Sequence, residues 1–104
     1  MVVMAVSFSF TVGVDEPHHV TVRVAGIRNR VTIEVDGWLA ADSGGNLGRI
    51  MPNVFDVEVG VQERHMVSIR VIIQEPIDGG ARYIDVFIDG RFAARHDWRA
   101  IRER

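Results

Sequence analysis

From Val6 onward the chain alternates apolar and polar residues with a period of two, the period at which successive strand side chains change faces. Val6, Phe8, Phe10, Val12 and Val14 fall on one side of a first strand, and Val20, Val22 and Val24 on one side of a second, with Thr21 and Arg23 opposite. A third strand sets Val31, Ile33 and Val35 against Thr32, Glu34 and Asp36. After a turn-rich stretch come Phe55, Val57, Val59 and Val61, then Val67, Ile69, Val71 and Ile73, and last Ile84, Val86 and Ile88. Strands rich in β-branched residues, each with one apolar face, predict antiparallel sheet packed on sheet, an all-β sandwich or flattened barrel. Turn signals separate the strands: Glu16-Pro17, Arg28-Asn29, Asp36-Gly37, Pro76, Gly79-Gly80 and Asp89-Gly90.

The pattern repeats within the chain. Phe10-Thr11-Val12-Gly13-Val14 matches Phe55-Asp56-Val57-Glu58-Val59, and His18-His19-Val20-Thr21-Val22-Arg23-Val24 matches His65-Met66-Val67-Ser68-Ile69-Arg70-Val71. Arg30 to Ala40 matches Tyr83 to Ala93, each segment passing through an Asp-Gly pair. Two pseudo-repeated three-stranded meanders, about 6–41 and 54–94, are therefore expected, joined by the glycine-rich 42–53 loop. One meander has an apolar face that it cannot bury alone, and two stacked face to face share one core. Residues 95–104 form a tail, in which residues 97–104 predict a short helix capped by Asp97, with Trp98 and Ile101 three apart on one side.

A length of 104 residues suits one domain, 1–104. Charge is near balance at −2, so no overall field draws the chain to nucleic acid or to an anionic membrane. The chain has no cysteine, and all 12 of its cations are arginine, which excludes disulfides, thiolate nucleophiles, Schiff bases and a phosphate-loop lysine. No basic region precedes Asp15 and no unbroken apolar run reaches membrane-spanning length, which predicts a cytoplasmic domain without a membrane segment.

At the repeat the sequence resembles the Fas apoptotic inhibitory molecule family. The likeness rests on Phe10-x-Val12, His19-Val20-x-Val22 and Arg30-Val31-x-Ile33-x-Val35-Asp36-Gly37 in the first unit. In the second it rests on Phe55-x-Val57, Val67-x-Ile69-x-Val71, Gly79-Gly80 and Val86-x-Ile88-Asp89-Gly90. Animal members carry about twice as many units, together with cysteines that this chain lacks, so the chain resembles half of such a protein. The resemblance implies a β-sandwich and a non-enzymatic protein-interaction or protein-protecting module, with no catalytic residues and no cofactor.

The residues themselves offer little chemistry beyond that. His18, His65 and His96 are the candidates for a metal-dependent enzyme, but His18 and His19 point to opposite strand faces and no ligand spacing is present. Asp36 and Asp89 read as turn residues rather than as an acid/base pair. The 42–53 loop is the place for a small-ligand or carbohydrate site, the alternative function. Arg91, Arg95, Arg99, Arg102 and Arg104 make the C-terminal segment basic, yet no aromatic set for base stacking stands out, which argues against nucleic acid. Ile72 and Phe87 fall on strand faces that are otherwise polar, Trp38 follows a turn, and Trp98 sits in the tail. These four are the candidate contacts for a protein partner or a homodimer.

Overall fold

Two antiparallel meanders follow one another along the chain in the computed structural model, which describes residues 6–25, 30–44, 53–73 and 82–97. The first sheet has the order β1 (Val6–Val12), β2 (His18–Ala25), β3 (Arg30–Val35) and β4 (Trp38–Asp42). The second has the order β5 (Asn53–Val59), β6 (His65–Ile73), β7 (Arg82–Ile88) and β8 (Arg91–Asp97). Their apolar faces pack on each other, so the all-β antiparallel sandwich expected from the alternation is the fold. Val12, Val20, Val22, Val24, Val31 and Ile33 meet Val57, Val59, Val67, Ile69, Val71, Ile84 and Val86 in one buried cluster. Phe8, Phe10, Phe55, Val35, Ala41 and Ile88 close its margins. Each such valine or isoleucine contributes roughly 1.5–3 kcal/mol on burial, so this seam dominates the stability. At one margin the Phe8 ring of β1 stacks on the His96 ring of β8 with centroids 4.5 Å apart, joining the two sheets.

Each meander has four strands rather than three. β4 and β8 do not alternate cleanly, so the period of two does not set them apart from the strands before them. A bulge lies between Ile33 and Glu34 opposite β4, and another between Val86 and Phe87 opposite β8. One extra residue on the edge strand breaks the period of two. β8 also extends into the segment read as a tail, with Arg95, His96 and Asp97 as strand residues. The helix expected beyond Asp97 and Trp98 within it, most of the 42–53 loop, and the turns at Arg28-Asn29, Pro76 and Gly79-Gly80 lie outside the described residues. Among the described residues no helix is long and apolar enough to cross a membrane.

The hairpin turns behave as their residues dictate. Asp36 and Gly37 have φ of 51° and 83°, and Asp89 and Gly90 have 53° and 81°, the pair of positive angles that a type I′ turn requires.

The strand pairing also corrects the alignment of the repeats. Val12 faces His18 across the first hairpin, and Val59 faces His65 across its counterpart. Phe8 therefore corresponds to Phe55, and the match starting at Phe10 was two residues out of step. In the corrected register Gly13-Val14-x-Glu16-x-His18 corresponds to Gly60-Val61-x-Glu63-x-His65. Val14 and Val61 do not continue their strands' apolar faces. They lie past the strand ends and are largely exposed.

Gly13 and Gly60, both at φ of 103°, make that exit possible. A Cβ at Gly60 would overlap the Glu63 carbonyl oxygen, as one at Gly13 would overlap that of Glu16. Gly60→Ala is expected to lower unfolding stability by about 1–3 kcal/mol. Urea titration reads this as a lower midpoint at unchanged slope, whereas an unchanged midpoint would mean that the turn reshapes freely.

Candidate functional site

The turns opened by Gly13 and Gly60 meet where the two sheets come together, and each inserts a glutamate into the other. The Glu16 carboxylate accepts hydrogen bonds from the backbone N–H groups of Val61, at 2.7 Å, Gln62, at 2.7 Å, and Glu63, at 2.9 Å. In return the Glu63 carboxylate accepts from Val14, at 2.9 Å, Asp15, at 2.7 Å, and Glu16, at 2.9 Å. Three successive N–H groups converging on one anion form an anion-binding nest, and here each repeat supplies the anion for the other's nest.

A histidine backs each glutamate. His18 places Nε2 2.5 Å from Glu16 and Nδ1 2.5 Å from Asp36, and His65 does the same with Glu63 and Asp89, both at 2.6 Å. Ionised carboxylates only accept hydrogen bonds, so both contacts of each ring are made when both nitrogens carry protons, and the arrangement favours the imidazolium. Asp36 also accepts the His19 N–H and Asp89 the Met66 N–H, which fixes each turn aspartate against its histidine. The turn residues Asp36 and Asp89 thus anchor the clasp as well as forming hairpins.

The titration of these groups follows from the contacts. Glu16 is held down to about 2, from an ordinary 4.5, by the Glu63 N–H first and then by His18 and the other two N–H groups. Glu63 falls to about 2 through His65 first and then the opposing N–H groups. His18 is raised by Asp36 and then Glu16, and His65 by Asp89 and then Glu63.

With both nitrogens facing carboxylates, neither imidazole turns a free nitrogen toward a substrate or a metal. The three histidines considered for a metal site are also not gathered. His18 and His65 belong to separate clasps, and His96 stacks on Phe8. Among the described residues no cluster of three or more histidine, aspartate or glutamate side chains is arranged to hold a metal ion. The open cleft of about 550 Å³ between the two turns is lined by Asp15, Glu16, Val61, Gln62 and Glu63, and both of its glutamates are already spent. At the start of the 42–53 loop the polar groups are likewise engaged. Asp42 pairs with Arg30 and accepts the Gly44 N–H, and the Ser43 hydroxyl accepts the Val31 N–H.

A surface with free chemistry lies on the second sheet, on the face turned away from the core. Phe87 pairs with Ser68 on one side and Phe92 on the other, Asp85 with Arg70 and Arg95, and Tyr83 with Ile72 and Asp97. This register lines up Ile72, Tyr83, Phe87 and Phe92 beside Arg70 and Arg95. The Phe87 and Phe92 rings meet edge to face at 5.7 Å. The Arg70 guanidinium lies 5.5 Å from the Phe87 ring centre and that of Arg95 4.0 Å from the Tyr83 ring centre. Arg95 also grips the nearly buried Asp85 through two hydrogen bonds of 2.7 and 3.0 Å. The sequence shows no aromatic set because Tyr83, Phe87 and Phe92 are spread over two strands, and Phe92 comes beside Phe87 only through the register of the Asp89-Gly90 hairpin.

Of the four residues singled out as contacts, Ile72 and Phe87 share this face and are partly buried. Trp38 does not join them. It lies on β4 in the other sheet, opposite Val35, and is 80% exposed.

The first sheet provides an internal control, because the same registers recur in it. Tyr83, Phe87 and Phe92 stand where Arg30, Glu34 and Leu39 stand, and Ile72 stands where Ala25 stands. Apart from the exposed Leu39, the outer face of the first sheet is polar at the compared positions: the Ser9 and Thr21 hydroxyls are 2.9 Å apart, and Arg23 lies 3.8 Å from Glu34. The fold therefore has no need of aromatic rings at these positions, and takes charged residues at two of them.

Compared with protein-family models, curated proteins and solved structures, the chain has no match.

Proposed function

We propose that this chain is a non-enzymatic protein-interaction module of the cytoplasm, similar to half of a Fas apoptotic inhibitory molecule protein, that binds through the outer face of its second sheet. One observation carries the reading: at equivalent places in one fold, the first sheet presents Arg30, Glu34 and Leu39, and the second presents Tyr83, Phe87 and Phe92. Apolar side chains held out of the core, in a patch spanning three strands and edged by arginine, are the composition of a contact surface. The spent ring nitrogens of His18 and His65 support a role without catalysis.

The test is a graft of the first repeat's residues onto the second, Ile72→Ala, Tyr83→Arg, Phe87→Glu and Phe92→Leu together. At micromolar concentration the graft is expected to melt within about 5 °C of the parent, since these side chains lie outside the main seam. The parent is expected to enhance the fluorescence of an anilinonaphthalene sulfonate probe, and the graft to lose that enhancement. A graft that unfolds would assign the patch to folding instead and overturn the reading.

A further inference from the structure

We infer that the occupant of this face is a second copy of the same chain, turned over so that the two outer faces of the second sheet lie against each other. The inference rests on the reading above, and the charges on the face decide between partners. In the first sheet Arg23 has Glu34 beside it. In the second, Phe87 has replaced that glutamate, so Arg70 rests on an aromatic ring and meets no carboxylate among the described residues. A guanidinium held over a ring face spends no N–H donor on it, so the donors stay available to a carboxylate from outside.

The face also carries acids that make no ion pair of 4 Å or less among the described residues, although Asp56 accepts the Ser68 hydroxyl at 2.6 Å and Asp97 lies within the field of Arg95. Asp56 and Glu58 are exposed on β5 along one flank, and Asp97 is exposed at the end of β8 on the other. Asp85 is already taken by Arg95. Four carboxylates against two arginines repel a phosphate backbone, which disfavours nucleic acid despite the aromatic rings. A purely acidic peptide would satisfy Arg70 and leave Asp56, Glu58 and Asp97 facing like charge. A copy of the chain brings both signs together with a matching apolar strip.

Size points to the strength of the contact. Four strands ~4.8 Å apart and seven residues long at ~3.3 Å per residue present roughly 450 Å² per copy. Two such faces, with side-chain relief, reach the lower end of what specific interfaces bury, so a dimer that dissociates at micromolar concentrations is expected.

Sedimentation velocity of the full chain from 1 to 500 µM is the test. The expected result is a concentration-dependent rise toward a mass twice 11.7 kDa. The four-residue graft is expected to stay monomeric throughout. Arg70→Glu and the double variant Asp56→Arg, Glu58→Arg are each expected to weaken self-association at least tenfold, and their equimolar mixture to regain part of it. A parent that is monomeric at 500 µM and still binds the dye overturns the copy as occupant while leaving the interaction face standing. A dimer that survives in the graft overturns the assignment of this face. Equal dimerisation by the charge variants overturns the role given to Arg70.

Discussion

Replacing Glu16 and Glu63 together by glutamine is expected to lower the melting temperature by about 15 °C, and each single replacement by about 10 °C. Glutamine keeps the shape of the side chain but loses the charge. It also turns an amide N–H₂ toward groups that are themselves donors: three backbone N–H groups and a protonated imidazole. Both carboxylates are about three-quarters covered, at 25% and 24% exposed, so water replaces the lost partners poorly. The effect of the pair is not the sum of the two. Glu16 fixes the turn that carries Glu63, and Glu63 fixes the turn that carries Glu16, so loosening one presents the other's donors less well. A double-mutant cycle read by calorimetry measures that coupling. Asp15→Asn is the control and is expected to leave the melting point unchanged, because only the backbone of Asp15 enters the clasp. Should both singles and the double melt within 2 °C of the parent, the clasp has no part in joining the sheets.

The second large effect is on the dependence of stability on pH. Glu16 and Glu63 titrate at about 2 in the folded chain against 4.5 when unfolded, and Asp36 and Asp89 are also lowered. Their contribution is complete above about pH 4.5 and is lost as the pH falls toward 2. His18 and His65 are raised above 6.5, so what they contribute is complete below pH 6.5 and is lost as the pH climbs through the folded value. Stability is therefore expected to be greatest between about pH 4.5 and 6.5 and to decline on both sides. Urea midpoints taken every half unit from pH 3 to 9 check this. The variant His18→Gln, His65→Gln is expected to flatten the alkaline decline. A parent midpoint that rises steadily from pH 6 to 9 would show that the imidazoles are neutral in the fold.

Much of this molecule is written in its valines. Val20, Val22 and Val24, or Val67, Ile69 and Val71, can bury one face only if the backbone is extended, so the central strands and the sandwich follow from period alone. The edge strands do not, because Trp38-Leu39-Ala40-Ala41 and Arg91-Phe92-Ala93-Ala94 each cross a bulge and lose the alternation there. The clasp was hidden for a different reason. Glu16 binds N–H groups 45 to 47 positions away, and backbone donors leave no mark on residue type. Its one signal was the recurrence of Gly-Val-x-Glu-x-His, and aligning the repeats on their aromatic residues put that recurrence out of register. The apolar outer face was half visible. Ile72 and Phe87 break their strands' pattern, but their meeting with Tyr83 and Phe92 depends on pairing.

The reciprocity of the clasp bears on descent. A chain consisting of one such meander would hold a glutamate whose nest lies on its neighbour, and a twin would supply that nest, so the sandwich could be built from two separate identical halves. A linker between such halves leaves every contact in place and changes only how readily they meet. It also frees them from identity, because a substitution in one meander of this chain spares the other. The first sheet here turns the Ser9 and Thr21 hydroxyls outward, and the second carries aromatic rings at its outer face.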